Sequence, residues 1–282
     1  MTDNSTPQSP SIYCWNPRRR VFKSRLLKSV PLYKRPNNFG DLLGPLIAQR
    51  VLQRNGYNQH FIIKEEADTQ RQNLLTVGSV LHFAKNGDIV WGSGKNGKIP
   101  DKDHQYEKLD VRMVRGPLTK AFLEAKGIVV PDTFGDPGLL VGTLFPELRK
   151  RVTEKKHEIT IIPNLNENPQ KFSGHSITRP TESTWRVLKR IAQSKLVVSS
   201  SLHGIVVAEA LGVPVRVLQS SEEPLFKYRD YFEGTGRTEF EAYTSVEEAI
   251  LGKSPPPISV HAEDMIKTFP FDKFTRIESK NK

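Results

Sequence analysis

Residues 195–217, KLVVSSSLHGIVVAEALGVPVRV, constrain the fold of this chain more than any other stretch. An apolar strand (Leu196, Val197, Val198) runs into a small polar turn (Ser199, Ser200, Ser201), a helix follows from Leu202, and after Gly212 a second apolar strand covers 213–218. Strand, helix and strand of these lengths make a parallel βαβ unit, whose first turn lies at the carboxyl end of a strand, where open α/β sheets bind ligands. The first N–H groups of a helix lack intrahelical acceptors and favour an anion. His203 falls in that first turn, so Ser200, Ser201, Leu202, His203 and Gly204 form a candidate phosphate or carboxylate site with an imidazole beside it.

Charge agrees with an anionic ligand. The 282 residues carry 42 Lys plus Arg against 31 Asp plus Glu, a net charge of +11. A nucleic-acid-binding module has little else to support it, since no such motif and no aromatic-basic interleaving is present. Cys14 is the single cysteine, which excludes an intrachain disulfide and a thiolate metal cluster and suits a reducing compartment. Residues 1–10 lack the charged and apolar regions of a secretory signal, and no apolar run reaches the roughly 18 residues of a bilayer span. A cytoplasmic protein is expected, either free or in peripheral contact with the inner membrane face. The basic segment Arg18, Arg19, Arg20, Lys23, Arg25, Lys28, Lys34 and Arg35 reads either as a solvated loop or as a contact for anionic headgroups or a diphosphate-linked acceptor.

Along the chain, residues 1–10 read as a disordered tail and 11–15 as a first strand. NNFGD at 37–41 forms a turn, with Asp41 either the N-cap of an amphipathic helix to about Leu52 or, with Asn38, a contact for an acceptor. A short strand at 88–91 enters GSGKNGK, where Gly92, Ser93 and Gly94 allow a close backbone approach to a ligand; a plain loop is the alternative. The strand at 110–114 turns through Arg115-Gly116-Pro117 into a helix, leaving Arg115 at a strand's carboxyl end. There it binds a ligand, caps a loop or pairs with an acid. Asp136 belongs to a Gly-Asp-Pro-Gly turn and is expected to be oriented by its own backbone. The apolar period fails over 145–157, which places a boundary between an N-terminal domain (11–150) and a C-terminal one (157–254), followed by a linker and terminal helix (255–282).

Five blocks in this order, NNFGDLLGPLIAQRVL, VWGSG, VRGPLT…LEAKGI…GDPGLL, SSSLHGIVVAEALGVP and FKYRDYFEGTGR, resemble the polysaccharide pyruvyl transferases, and among them the bacterial ketal pyruvate transferases of exopolysaccharide assembly. The resemblance implies an α/β fold of two Rossmann-like domains facing a cleft, GT-B-like. It also implies chemistry without metal or cofactor, phosphoenolpyruvate as co-substrate, and a pyruvate ketal on a sugar of an exopolysaccharide or its lipid-linked repeat unit. The family's donor-binding arginine matches Arg115 and its histidine His203. Two departures stand out: Ser201 where some relatives carry arginine, and Pro163-Asn164 where many carry Pro-His.

Ketal formation from an enol phosphate needs a proton on the methylene carbon, attack by one hydroxyl, loss of phosphate and closure by a second. An acid and electrostatic clamps meet those needs. His203 is the candidate acid, or else a donor-binding group. Arg115 and Lys227 are candidates for the donor's anionic groups. Tyr228 and Tyr231 are candidates for sugar stacking and Asp230 for accepting a hydroxyl proton, although Tyr231 reads equally as core. A GT-B glycosyltransferase using a nucleotide-sugar is the alternative, because one fold hosts both chemistries.

Overall fold

The computed structural model describes residues 8–20, 32–57, 61–65 and 70–276. The expectations for residues 1–7, for Lys23, Arg25 and Lys28, and for 277–282 lie outside the described residues. Strands are β1 (Ser11–Tyr13), β2 (Arg19–Arg20), β3 (Tyr33–Lys34), β4 (Ile63–Lys64), β5 (Asn73–Leu75), β6 (Ile89–Trp91), β7 (Asp110–Met113), β8 (His157–Ile162), β9 (Ser194–Ser199), β10 (Val215–Leu218) and β11 (Ala242–Tyr243). Helices are α1 (Phe39–Arg54), α2 (Pro117–Glu124), α3 (Val141–Leu144), α4 (Pro146–Arg151), α5 (Thr184–Ala192), α6 (Leu202–Ala210), α7 (Phe226–Gly234), α8 (Val246–Leu251) and α9 (Ala262–Lys267).

This is a mixed α/β fold with two parallel sheets. The first runs β4-β1-β5-β6-β7 and the second β11-β10-β9-β8, with every pairing parallel. In the first sheet the order reverses between β1 and β5, which opens a crevice beyond their carboxyl ends. Strands such as Ile89–Trp91 are buried on both faces, which is why they read as unbroken apolar runs. β2 and β3 form a separate antiparallel ribbon.

Helix α1 starts at Phe39 because Asn38 takes the extended N-cap conformation; Asp41 sits in the first turn rather than at the cap. Pro45 inside α1 has no N–H for the carbonyl of Asp41, and the thiol of Cys14 approaches that oxygen instead, at 3.5 Å. The segment 145–157, expected as an irregular boundary, contains α4. Buried Leu148 seats this short helix against α5, so one apolar residue replaces a full periodic face. Leu43 and Ile47 of α1, Val187 of α5 and Ile205 of α6 belong to one continuous apolar core, so helices from both halves share an interior. The chain then returns to the first sheet: the Trp91 indole donates to Thr268 Oγ1 at 3.0 Å and Arg112 bonds Asp272.

Candidate active site

Strand ends of both sheets border one crevice of 380 Å³. Trp15 and Arg19 enter it after β1, Ser79, Val80 and His82 after β5, Asn96 and Lys98 after β6. The second half contributes Asn164 and Asn166 after β8, Ser201, Leu202 and His203 after β9, and Glu223 and Lys227 before and within α7. Asn38 and Asp41 from the start of α1 complete the wall. A larger groove of 710 Å³, lined by Gln219, Arg229, Phe240 and Lys253 among others, holds none of these residues.

His203 lies in the first turn of α6, whose N-cap Ser201 makes no side-chain cap, so the backbone N–H groups there keep their donors for a ligand. Ser199 Oγ receives the Ser201 N–H at 3.0 Å, and Ser200 is wholly buried, accepting from Asn164 N at its hydroxyl and from Tyr228 at its carbonyl. Gly204 lets α6 start hard against β9, since a Cβ there would stand 2.3 Å from Ser199 Oγ. The imidazole is pinned on the other side by Gly40, where a Cβ would meet Nδ1 at 2.2 Å. Its Nε2 is buried without a hydrogen bond, 3.7 Å from Asp136 Oδ2, which is also buried and unbonded. Burial, reinforced by the charges of Lys227 and Arg115, pushes the His203 pKa down to about 3. Burial pushes Asp136 up to about 6 despite a hydrogen bond from Gly138 N.

The crevice is cationic at one end. Lys227 and Lys98 both pair with Glu223, at 3.2 and 2.6 Å, and burial lowers the pKa of Lys227. Arg19 lies over the Trp15 ring at 4.8 Å. Asp41 accepts from Asn38 Nδ2 at 2.7 Å, and burial raises its pKa to about 6. His82 is a second imidazole in the wall, pushed down to about 4 by burial and by the neighbouring His104. Among the described residues no group of three or more His, Cys, Asp or Glu is placed to hold a metal ion.

Several expected site residues turn away from the crevice. The Arg115 side chain is fully enclosed: Nε donates to Asp230 Oδ2 at 2.9 Å, Nη1 to Ser79 Oγ at 2.6 Å and Nη2 to the Lys95 carbonyl at 3.0 Å. It therefore pairs with an acid instead of presenting a fork to a ligand, reaching the crevice only through Ser79 and through its charge. Asp230 does not stand as a free base, because Thr119 N bonds Oδ1 at 2.8 Å and Thr119 Oγ1 joins Arg115 on Oδ2 at 2.6 Å. Tyr228 and Tyr231 are buried, their hydroxyls bonded to Ser200 O at 2.6 Å and Glu209 Oε2 at 2.5 Å, and so offer no face to a sugar. Gly92, Ser93 and Gly94 form no ligand cradle. Gly92 packs on Pro137, Ser93 donates to the Gly78 carbonyl, and a Cβ on Gly94 would lie 2.2 Å from the Arg115 guanidinium carbon. The glycines do permit a close approach, to protein groups.

Residues 38–222 match the family model for polysaccharide pyruvyl transferase. The chain belongs to the polysaccharide pyruvyl transferase family. It is 31% identical over 204 residues to the succinoglycan biosynthesis protein ExoV of Rhizobium meliloti (strain 1021), covering 69% of this chain and 60% of that protein. It is 28% identical over 187 residues to an uncharacterized protein of Acanthamoeba polyphaga mimivirus, covering 58% and 64%. The matched region thus spans less than two thirds of either relative. A functionally uncharacterized protein from Klebsiella pneumoniae subsp. pneumoniae has a structure similar at TM-score 0.44 and 14% identity, over 79% of this chain and 87% of that one.

Within this pyruvyl transferase family member, the VRGPLT and FKYRDYFEGTGR blocks meet as a lock between α2 and α7. Gly116 is required there, since a Cβ would fall 1.7 Å from the Asp230 carbonyl oxygen. Sequence reasoning did not find His82, Trp15, Glu223 or the contact of Asp136 with His203. For His82 a faint signal exists, a histidine just beyond Gly78-Ser79 at the end of a strand. For Asp136 the turn motif accounts for one carboxylate oxygen and is silent on the other.

Proposed function

We propose that the chain transfers pyruvate from phosphoenolpyruvate to a sugar of an exopolysaccharide, or of its lipid-linked repeat unit, as a cyclic ketal, releasing phosphate. One observation carries this reading: His203 stands at the uncapped N-terminus of α6, in a crevice that also gathers Lys227, Lys98 and Arg19. Open N–H groups and ammonium groups favour the donor's carboxylate and phosphate. His203 delivers a proton to the methylene carbon, and the cation developing at the adjacent carbon is captured by a sugar hydroxyl. Phosphate then leaves with the C–O bond electrons, and the second hydroxyl closes the ring. A donor phosphate beside the imidazole raises its pKa from the depressed ligand-free value, so donor binding arms the acid. With Asp230 sealed inside the lock, Asp41 is the crevice carboxylate suited to accept a hydroxyl proton, Asn38 orienting it.

We read the two sheets as the two halves of a GT-B-like arrangement. The exposed ribbon of β2 and β3, with Arg19 both in the ribbon and in the crevice wall, suits an anionic acceptor presented at the inner membrane face. Among the described residues no helix is long and apolar enough to cross a membrane. The test is to incubate the protein with phosphoenolpyruvate and lipid-linked oligosaccharides, following phosphate release and the mass gain of a pyruvate ketal. Thermal stabilisation by a nucleotide-sugar and none by phosphoenolpyruvate would replace this reading with glycosyl transfer.

A further inference from the structure

Asp136 is completely buried, and its turn-forming role uses only half of its carboxylate. Oδ1 accepts from Gly138 N at 2.8 Å, which fixes the rotation of the group and leaves Oδ2 aimed away from its own turn. That oxygen and His203 Nε2 are both buried, both without a hydrogen bond, and 3.7 Å apart. Each surrounding contact holds the two in register. Gly138 seats the turn on α6, where a Cβ would come within 2.8 Å of Val206 Cγ1, and Gly40 blocks the ring from withdrawing toward α1. A buried donor or acceptor left unpaired is costly, so two facing one another call for an explanation beyond the turn.

We propose that Asp136 is a positioning residue for His203, fixing its buried nitrogen and supplying the countercharge that lets the ring hold a proton once an anion lies in the crevice. The proposal rests on His203 being the acid of pyruvyl transfer. The other charges that reach the ring are Lys227 on α7 and Arg115 beyond β7, and both oppose its protonation. Asp41 on α1 is turned to Asn38. Asp136 is thus the acid facing the imidazole among the described residues. Burial alone keeps each partner away from its charged form. Closing the gap to a charge-assisted hydrogen bond of about 2.7–2.9 Å stabilises imidazolium and carboxylate together. Catalytic hydrogen bonds that are long in a ligand-free site commonly tighten when substrate binds.

Asp136→Ser isolates this role, because serine keeps an oxygen for Gly138 N while removing the one that faces His203. Nitrogen-15 histidine spectra of the full chain, assigned with His203→Gln and recorded with and without inorganic phosphate, read the ring directly. The parent is expected to show one neutral tautomer, protonated at Nε2, whose pKa rises by about one unit or more with phosphate. Asp136→Ser is expected to show mixed tautomers and to lose that rise. In the phosphoenolpyruvate assay kcat should fall about 10²-fold or more with KM little changed. A folded Asp136→Ser protein with the parent's tautomer and the parent's response to phosphate would overturn the proposal. Since the spectra need no turnover, a parent inert toward phosphoenolpyruvate would sink the pyruvyl-transfer reading and leave the pairing standing.

Discussion

Among the charged contacts that join the first half of this molecule to the second, Arg115 with Asp230 and His203 with Asp136 differ in their surroundings. Around Arg115 and Asp230, three guanidinium nitrogens and both carboxylate oxygens have partners at 2.6–3.0 Å, and the side chains are sealed from solvent. Around Asp136 and His203, the two facing atoms have no hydrogen bond, and the ring lines a crevice. A fully satisfied buried network rigidifies and specifies a structure. An unsatisfied one, beside open space, holds capacity for a ligand or a proton. The first contact is architecture and the second is the one proposed for chemistry, although sequence alone offered Arg115 and His203 alike as donor-binding residues.

The comparison breaks most visibly if the lock is cut. Removing one partner of a buried pair strands the other charge, so Asp230→Ala is expected to destabilise the fold by about 3–5 kcal/mol in urea unfolding. Replacing both partners, Arg115→Met with Asp230→Leu, should recover much of that loss. An Asp230→Ala protein with parental stability would contradict the division drawn here. His203→Ala should do the reverse, lowering turnover about 10²-fold or more while the unfolding midpoint stays near the parent's. Retained turnover would remove the imidazole from the chemistry.

Gly40→Ala sharpens the contrast from one side. The added methyl would lie 2.2 Å from His203 Nδ1. The ring must shift, with a stability loss of about 1–3 kcal/mol and a fall in kcat larger than that loss explains. An alanine variant with the parent's kinetics would mean the ring has room. The last test concerns pH. His203 is held down to about 3 from an ordinary 6.5, so below 6.5 the unfolded chain takes up a proton that the folded chain refuses. Stability should therefore fall as pH drops from 6.5 toward 3, and His203→Gln should show a shallower fall. Equal slopes in the two proteins would mean that the imidazole is not desolvated.

Legibility followed locality. The unit β9-α6-β10 could be read because strands buried on both faces leave continuous apolar runs and a glycine marks the turn between helix and strand. His203 was placed in the crevice wall by the same logic. Arg115 was not resolved, since a guanidinium at a strand's end looks alike in sequence whether it meets a ligand or an acid, and its acid lies 115 residues away. The glycines at 92 and 94 did signal close contact, but spacing carries no record of what makes the contact. Helix α4 escaped because it buries a single leucine.

The apolar interior shared by α1, α5 and α6 bears on how a ligand enters. Swinging the two sheets apart like jaws would drag Leu43, Ile47 and Ile205 into water together, a penalty that no small anion repays. The shared core therefore keeps the crevice walls at one spacing, with Asn164, Leu165, Asn166 and the ribbon's Arg19 in the lining. On the proposed function, donor and acceptor meet in a cleft whose walls do not part to admit them.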